Sequence, residues 1–180
     1  MISGFHHVAF RCKDASETVK FYRDILGLEF SLAIAEDHVP STGEYSPYMH
    51  IFLKVGQANL AFFELPEESE MSRDLQTPTW VQHIALKLDS ERELLKYKQK
   101  LESAGHEVLG PIDHGIFTSI YFHDPSGHRI ELAADTALKY KGRLAVDELK
   151  ALAEPMLEEW ARTRRPPKHA QWLHKSKCLN

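Results

Sequence analysis

Residues 112–131 read I-D-H-G-I-F-T-S-I-Y-F-H-D-P-S-G-H-R-I-E, and bring His114, Tyr121 and Glu131 into one short strand–turn–strand stretch. A carboxylate that ends an apolar run can hold a metal ion. A histidine and a tyrosine just upstream can hold and move protons beside it. Further ligands must then come from elsewhere in the chain.

The chain supplies candidates by repeating itself. One stretch begins FHHVAFRCKDASETVKFYRDILGLEF and another VQHIALKLDSERELLKYKQKLESAGHEV. Each opens on a histidine followed by three apolar residues, His7-Val-Ala-Phe and His83-Ile-Ala-Leu. Each then has a polar helix-start signal (Asp14 and Ser16; Asp89 and Ser90). Amphipathic spacing follows, through Val19, Phe21, Tyr22 and Ile25 in one copy and Leu94, Leu95, Tyr97 and Leu101 in the other. Gly27 and Gly105 stand where a helix should end. Strand-like runs come next, and both copies close on Glu-Leu, at Glu64 and Glu131. The histidines are 76 positions apart and the glutamates 67. We assign the difference to a longer loop around residues 37–48. The pattern predicts two β-α-β-β-β modules, about 3–66 and 79–135, paired in one α+β domain spanning 1–135. Residues 136–180 form a C-terminal extension.

Side chains alternate faces along a strand. Phe5, His7 and Ala9 therefore share one face, with His6, Val8 and Phe10 on the other, while Val81, His83 and Ala85 share a face of the second strand. A lone strand histidine is ordinarily a hydrogen-bonded core or surface residue. Two at equivalent points of a repeat, with a carboxylate at the distal end, point to a metal held by His7, His83 and Glu131. Two imidazoles and one carboxylate leave coordination positions open, which suits Fe(II) and its oxygen chemistry. Manganese, zinc, nickel and cobalt accept the same donors.

The duplicated plan, with histidine on the first strand and glutamate on the last strand of each copy, resembles the vicinal oxygen chelate superfamily. Glyoxalase I, methylmalonyl-CoA epimerase, fosfomycin and bleomycin resistance proteins and type I extradiol dioxygenases belong to it. The resemblance covers about residues 3–135 and implies curved mixed sheets with a metal site between them. Within it, His114, Ile120-Tyr121, Asp124-Pro125-Ser126-Gly127 and Glu131 resemble the extradiol ring-cleavage signature, in the small single-domain form. The Asp-Pro-Ser-Gly part is equally what a type I turn prefers, so His114 and Tyr121 carry the discrimination. The resemblance implies opening of a catecholic ring with O2. Tyr121 would hydrogen-bond a substrate oxygen, and His114 would act as a polar or acid–base group. It also implies a homodimer. Glu64 supports a competing reading. With His7, His83 and Glu131 it is similar to the four-ligand nickel or zinc set of glyoxalase I, which would make the chain a lyase or epimerase acting on another substrate with vicinal oxygens. A third reading is a resistance protein that sequesters a small molecule without turnover.

Composition narrows the classes. The 180 residues are 43% hydrophobic and 27% charged, with a net charge of −4, which argues against a nucleic-acid binder. No apolar run approaches the roughly 18 residues of a membrane span. The start, MISGFHHVAFRCK, lacks a basic region followed by an apolar one. With Cys12 and Cys178 at opposite ends, no disulfide framework is expected and a reducing cytoplasm fits. His50 reads as strand core or a cross-strand pair, and His123 and His128 as solvent-facing flanks of the turn. Phe62, Trp80 and Phe117 are candidate pocket aromatics, with core as the commoner role. Past residue 135, Val146, Leu149, Leu152, Met156 and Trp160 follow helical spacing. Pro155 must kink that helix or begin a second one. A basic tail beginning Arg162-Thr-Arg-Arg-Pro-Pro-Lys follows.

Overall fold

A computed structural model describes residues 1–72, 74–136 and 143–165. The predicted repeat is present. The first copy runs β1 (His7–Cys12), α1 (Ala15–Lys20), a π-helical turn (Phe21–Ile25), β2 (Glu29–His38), β3 (Tyr45–Val55) and β4 (Ala58–Glu64). The second runs β5 (Ile84–Leu88), α2 (Glu91–Ser103), β6 (Leu109–Asp113), β7 (Phe117–His123) and β8 (Arg129–Asp135). Each copy builds a four-stranded sheet in the same order, β1-β4-β3-β2 and β5-β8-β7-β6. In the first, β1 runs parallel to β4 while β2, β3 and β4 pair antiparallel, so the sheet is mixed.

The chain divides into two interleaved compact units. One comprises Met1–Ile84, Gln99–Glu107 and Phe122–Ile130; the other comprises Ala85–Lys98, Val108–Tyr121 and the described residues from Glu131 onward. In the first unit, Asp14 caps α1 by accepting the Glu17 N–H at 2.7 Å. The helical face then buries Val19 and Tyr22. Alternation along β3 and β4 pairs Ile51 with Phe62 and Leu53 with Leu60, all buried on one face of the sheet. Tyr22 packs on Phe62, ring centres 5.1 Å apart. Side chains of this size contribute about 1.5–3 kcal/mol each when buried, and Phe62→Ala would cost this core about 3–5 kcal/mol. Cys12 is buried in the same layer, and that burial raises its thiol pKa to about 11.

The predicted loop at residues 37–48 is instead the tip of a long hairpin. β2 continues to His38 and β3 starts at Tyr45. The turn between them is closed by Val39 N–H to Glu44 O (2.8 Å) and Gly43 N–H to Val39 O (2.7 Å). Gly43, at φ +73°, supplies the left-handed residue that this turn requires.

In the second unit, Leu94, Ile120, Leu132 and Ala134 are buried. Thr118 on β7 donates to Glu91 at the start of α2 (3.1 Å). The C-terminal extension forms α3 (Arg143–Ala151) and α4 (Ala153–Thr163). Pro155 lies in the first turn of α4, where its missing N–H is tolerated, so it begins a second helix rather than kinking the first. The tail beyond residue 165, with Cys178, lies outside the described residues. Among those described, no helix is long and apolar enough to cross a membrane.

Candidate functional site

The second unit joins His114, Tyr121 and Glu131. On β7, Ser119 and Tyr121 share one side, while Thr118 and Ile120 take the other. Glu131 on β8 is buried, only 4% exposed. The Tyr121 hydroxyl donates to Glu131 Oε1 at 2.9 Å and lies 2.9 Å from His114 Nε2. Ser119 Oγ donates to the same oxygen, Oε1. A phenol has one proton. Because Tyr121 gives it to the carboxylate, His114 Nε2 must be the donor toward the phenol oxygen. The result is a directed chain, His114 to Tyr121 to Glu131, along which a proton can pass. His114 is placed by its own backbone N–H, which bonds to Phe117 O at 2.9 Å, and its ring lies 4.8 Å from that of Phe117.

Ser119 is the residue that sequence reasoning missed. It lies two positions before Tyr121, so strand alternation alone puts it on the same side. That spacing was the available signal.

The first unit holds the first-strand histidine. His7 opens β1, and its Nδ1 lies 2.7 Å from Nδ1 of His6. Its ring is 5.6 Å from that of Phe52 and 6.1 Å from that of His50. Glu64, expected as a possible fourth ligand, lies on the other face of this sheet. The register pairs His7 with Asn59 and Cys12 with Glu64, and residues five apart on a strand point in opposite directions. The Glu64 carboxylate is held there by the Ala15 N–H at the start of α1 (2.6 Å). This is the favourable place for a carboxylate at a helix N-terminus. A cavity of about 380 Å³ adjoins Glu64, with Glu36, Asp37 and Tyr48 also on its wall, and it does not include His7 or His50.

His83 stands just before β5, and its Nδ1 donates to Val81 O at 3.0 Å. A carbonyl accepts only, so a neutral His83 carries its lone pair on Nε2, the tautomer that ligates metals. The donor types therefore fit a divalent transition metal. Among the described residues of one chain, however, no three His, Cys, Asp or Glu side chains are gathered closely enough to hold an ion.

Other expected residues take structural positions. His128, read as solvent-facing, is partly buried, with Nε2 donating to Arg11 O at 2.7 Å and its ring against Phe10 and Phe62. Phe62 is fully buried core, and Trp80 is 67% exposed. His123 is exposed, as expected. The Asp-Pro-Ser-Gly turn is an anchor. Asp124 Oδ1 accepts the N–H groups of Ser126 and His128, at 2.9 and 2.8 Å. Its Oδ2 accepts the Tyr22 hydroxyl at 3.0 Å. Burial and the Asp124 carboxylate together push the Tyr22 pKa well above the usual phenol value.

The comparisons with known proteins agree with this architecture. Residues 4–132 match the family model of the glyoxalase/bleomycin resistance protein/dioxygenase superfamily. Biphenyl-2,3-diol 1,2-dioxygenase 2 of Rhodococcus globerulus is 34% identical over 86 residues, 42% of this chain and 45% of that protein. The chain thus aligns with less than half the length of that dioxygenase. Metallothiol transferase FosB of Staphylococcus epidermidis is 28% identical over 137 residues, 75% of this chain and 84% of the relative. Among solved structures, the fosfomycin resistance protein FosX of Listeria monocytogenes, complexed with Mn(II) and sulfate, superposes with a TM-score of 0.55 at 26% identity, covering 80% of this chain and 99% of that one. Duplicated modules, mixed sheets and a match across most of the chain place it in one family: the protein belongs to the glyoxalase/bleomycin resistance protein/dioxygenase superfamily.

Proposed function

We propose that the protein is a metal-dependent extradiol-type dioxygenase that opens a catecholic ring with O2. The observation that carries this reading is the Tyr121 hydroxyl, set 2.9 Å from both His114 Nε2 and Glu131 Oε1. Ring opening needs a group that holds a proton near the substrate oxygen and returns it later. A phenol backed by an imidazole has that capacity. His7, His83 and Glu131 are the donors we assign to the ion, with Fe(II) as the metal, on their types and their places in the repeat, although among the described residues of one chain no three such side chains are gathered to hold it. When bound, such an ion acidifies the catechol and lets the ring and O2 exchange electrons. Tyr121 orients a substrate oxygen, His114 replenishes the proton on Tyr121, and Ser119 holds Glu131 against rotation.

What weighs against the four-ligand lyase reading is Glu64, whose carboxylate already caps α1. A second reading, a role in fosfomycin resistance, rests on coverage, since the fosfomycin resistance protein FosX aligns over nearly its whole length. The test is anaerobic purification, metal analysis, then addition of catechols while O2 uptake and coloured ring-opened product are followed. Iron with O2 uptake supports ring cleavage. Nickel, zinc or manganese without O2 uptake, together with consumption of fosfomycin or of a methylglyoxal–thiol adduct, refutes it.

A further inference from the structure

The first unit contains a second imidazole beside His7 that the proposed reaction does not use. His50, on β3, is 9% exposed. Its ring stacks on Phe63, centres 3.6 Å apart and planes 17° from parallel, and it lies 4.1 Å from Phe52. Its Nε2 is closed off from solvent and has no hydrogen-bond partner among the described residues. A buried polar atom without a partner carries its full desolvation cost, so a native structure that keeps one calls for an explanation. Core packing does not supply it, because a phenylalanine would fill the same slot between Phe52 and Phe63 without that cost.

The surroundings suggest what the missing partner is. The register pairs His50 with Phe63 and with Ile34, Phe52 with Ala61, and His7 with Asn59. One face of the β1-β4-β3 sheet therefore carries two imidazoles, two phenyl rings and a small alanine between them. Aromatic walls take up a flat ring, and a neutral imidazole both donates and accepts.

We propose that His50 contacts the substrate: its Nε2 takes its hydrogen-bond partner from an oxygen of a flat aromatic molecule that binds on this sheet face beside His7. The aromatic class rests on the ring-cleavage reading; the unmet Nε2 does not.

The test uses the full chain in two arms. In the first, anaerobic protein loaded with Fe(II) is titrated with 4-nitrocatechol, and binding is read from the shift in its visible absorbance. His50→Phe, which keeps the stacked ring but removes the nitrogens, should bind about tenfold more weakly, the effect of one neutral hydrogen bond. His50→Gln, which restores a polar atom, should recover part of the loss. In the second arm, the urea midpoint is measured without ligand. His50→Phe should be more stable than the wild type, because an unmet polar atom has been removed. His50→Phe that binds within twofold of the wild type overturns the role of His50 and leaves ring cleavage standing. A wild type that binds no 4-nitrocatechol overturns the ring-cleavage reading. The stability arm then decides alone: a His50→Phe midpoint at or below the wild type's overturns the proposal, and a higher one supports it.

Discussion

The hydrogen bonds at Glu131 Oε1 make a quantitative prediction. Tyr121→Phe deletes one hydroxyl and keeps the ring, so no cavity opens and the cost is that of the lost bonds. Tyr121 is 9% exposed and Glu131 4%, so water cannot readily replace the donor. A hydrogen bond to a charged group contributes about 1.5–3 kcal/mol, and Ser119→Ala removes a second bond to the same oxygen. Each single variant should lose about 1.5–3 kcal/mol of stability. For a chain of this length, 2 kcal/mol lowers Tm by about 4–8 °C. Because the two donors share one acceptor, the double variant should depart from additivity by about 0.5–3 kcal/mol. Urea unfolding of the four proteins gives the cycle. The same proteins titrated with Mn(II) should show about 10–100-fold weaker metal binding, as for other groups that orient a ligand. Turnover separates the two residues. Tyr121→Phe should lower kcat about 10²–10⁴-fold if the phenol carries a proton, whereas Ser119→Ala should act through metal affinity and recover near wild-type kcat at saturating metal. Additive stabilities within about 0.5 kcal/mol, with full turnover in Tyr121→Phe, would refute the reasoning.

Three further outcomes are expected. Glu64→Ala should leave metal content unchanged, by elemental analysis, and lower stability by about 0.5–2 kcal/mol, the worth of a helix N-terminal partner; loss of one bound metal per chain would instead make Glu64 a ligand. His7→Ala and His83→Ala should each purify with much less metal than the wild type, and full occupancy in either would remove that residue from the ligand set. The raised pKa of Tyr22 means that its folded form stays protonated above the ordinary phenol value of about 10. Its contribution to stability is therefore present below about pH 10 and falls as pH rises beyond it, with a slope of at most about 1.4 kcal/mol per pH unit. Unfolding free energies measured across that range should lose this slope in Tyr22→Phe.

The repeat and the element order were legible because each rests on local periodicity. The register of β4 was not. Glu64 and Glu131 were matched because both precede leucine at the end of an apolar run. From His7 to Glu64 is 57 positions and from His83 to Glu131 is 48. The difference is nine, an odd number, and an odd slip moves a strand residue to the opposite face. A loop of unknown length could have absorbed it. In the folded chain the extra residues lengthen the arms of the β2–β3 hairpin, and β4 pairs Asn59, not Glu64, with His7. The anchoring of His128 was hidden for a related reason: its partner, Arg11 O, is 117 positions away in sequence.

Alternation also explains how one short segment serves packing and chemistry without conflict. Ile120 and Phe122 are buried, and Phe122 lies 6.2 Å from Phe21, ring centre to ring centre. Ser119 and Tyr121, interleaved with them, point the other way and meet Glu131. On β8, Ile130 and Leu132 are core while Glu131 between them is the acceptor. The polar residues sit in strands whose backbone positions are fixed by apolar neighbours, so their geometry does not depend on the chemistry they perform. A fold built this way can exchange one reaction for another by changing only the inward polar set. That is why membership of the superfamily leaves the activity open, and why Tyr121 with His114, rather than the Asp-Pro-Ser-Gly turn, is the place to look for it. The turn's carboxylate is committed to Tyr22 and to two backbone N–H groups. It would be required by any reaction on this scaffold, and so it distinguishes none.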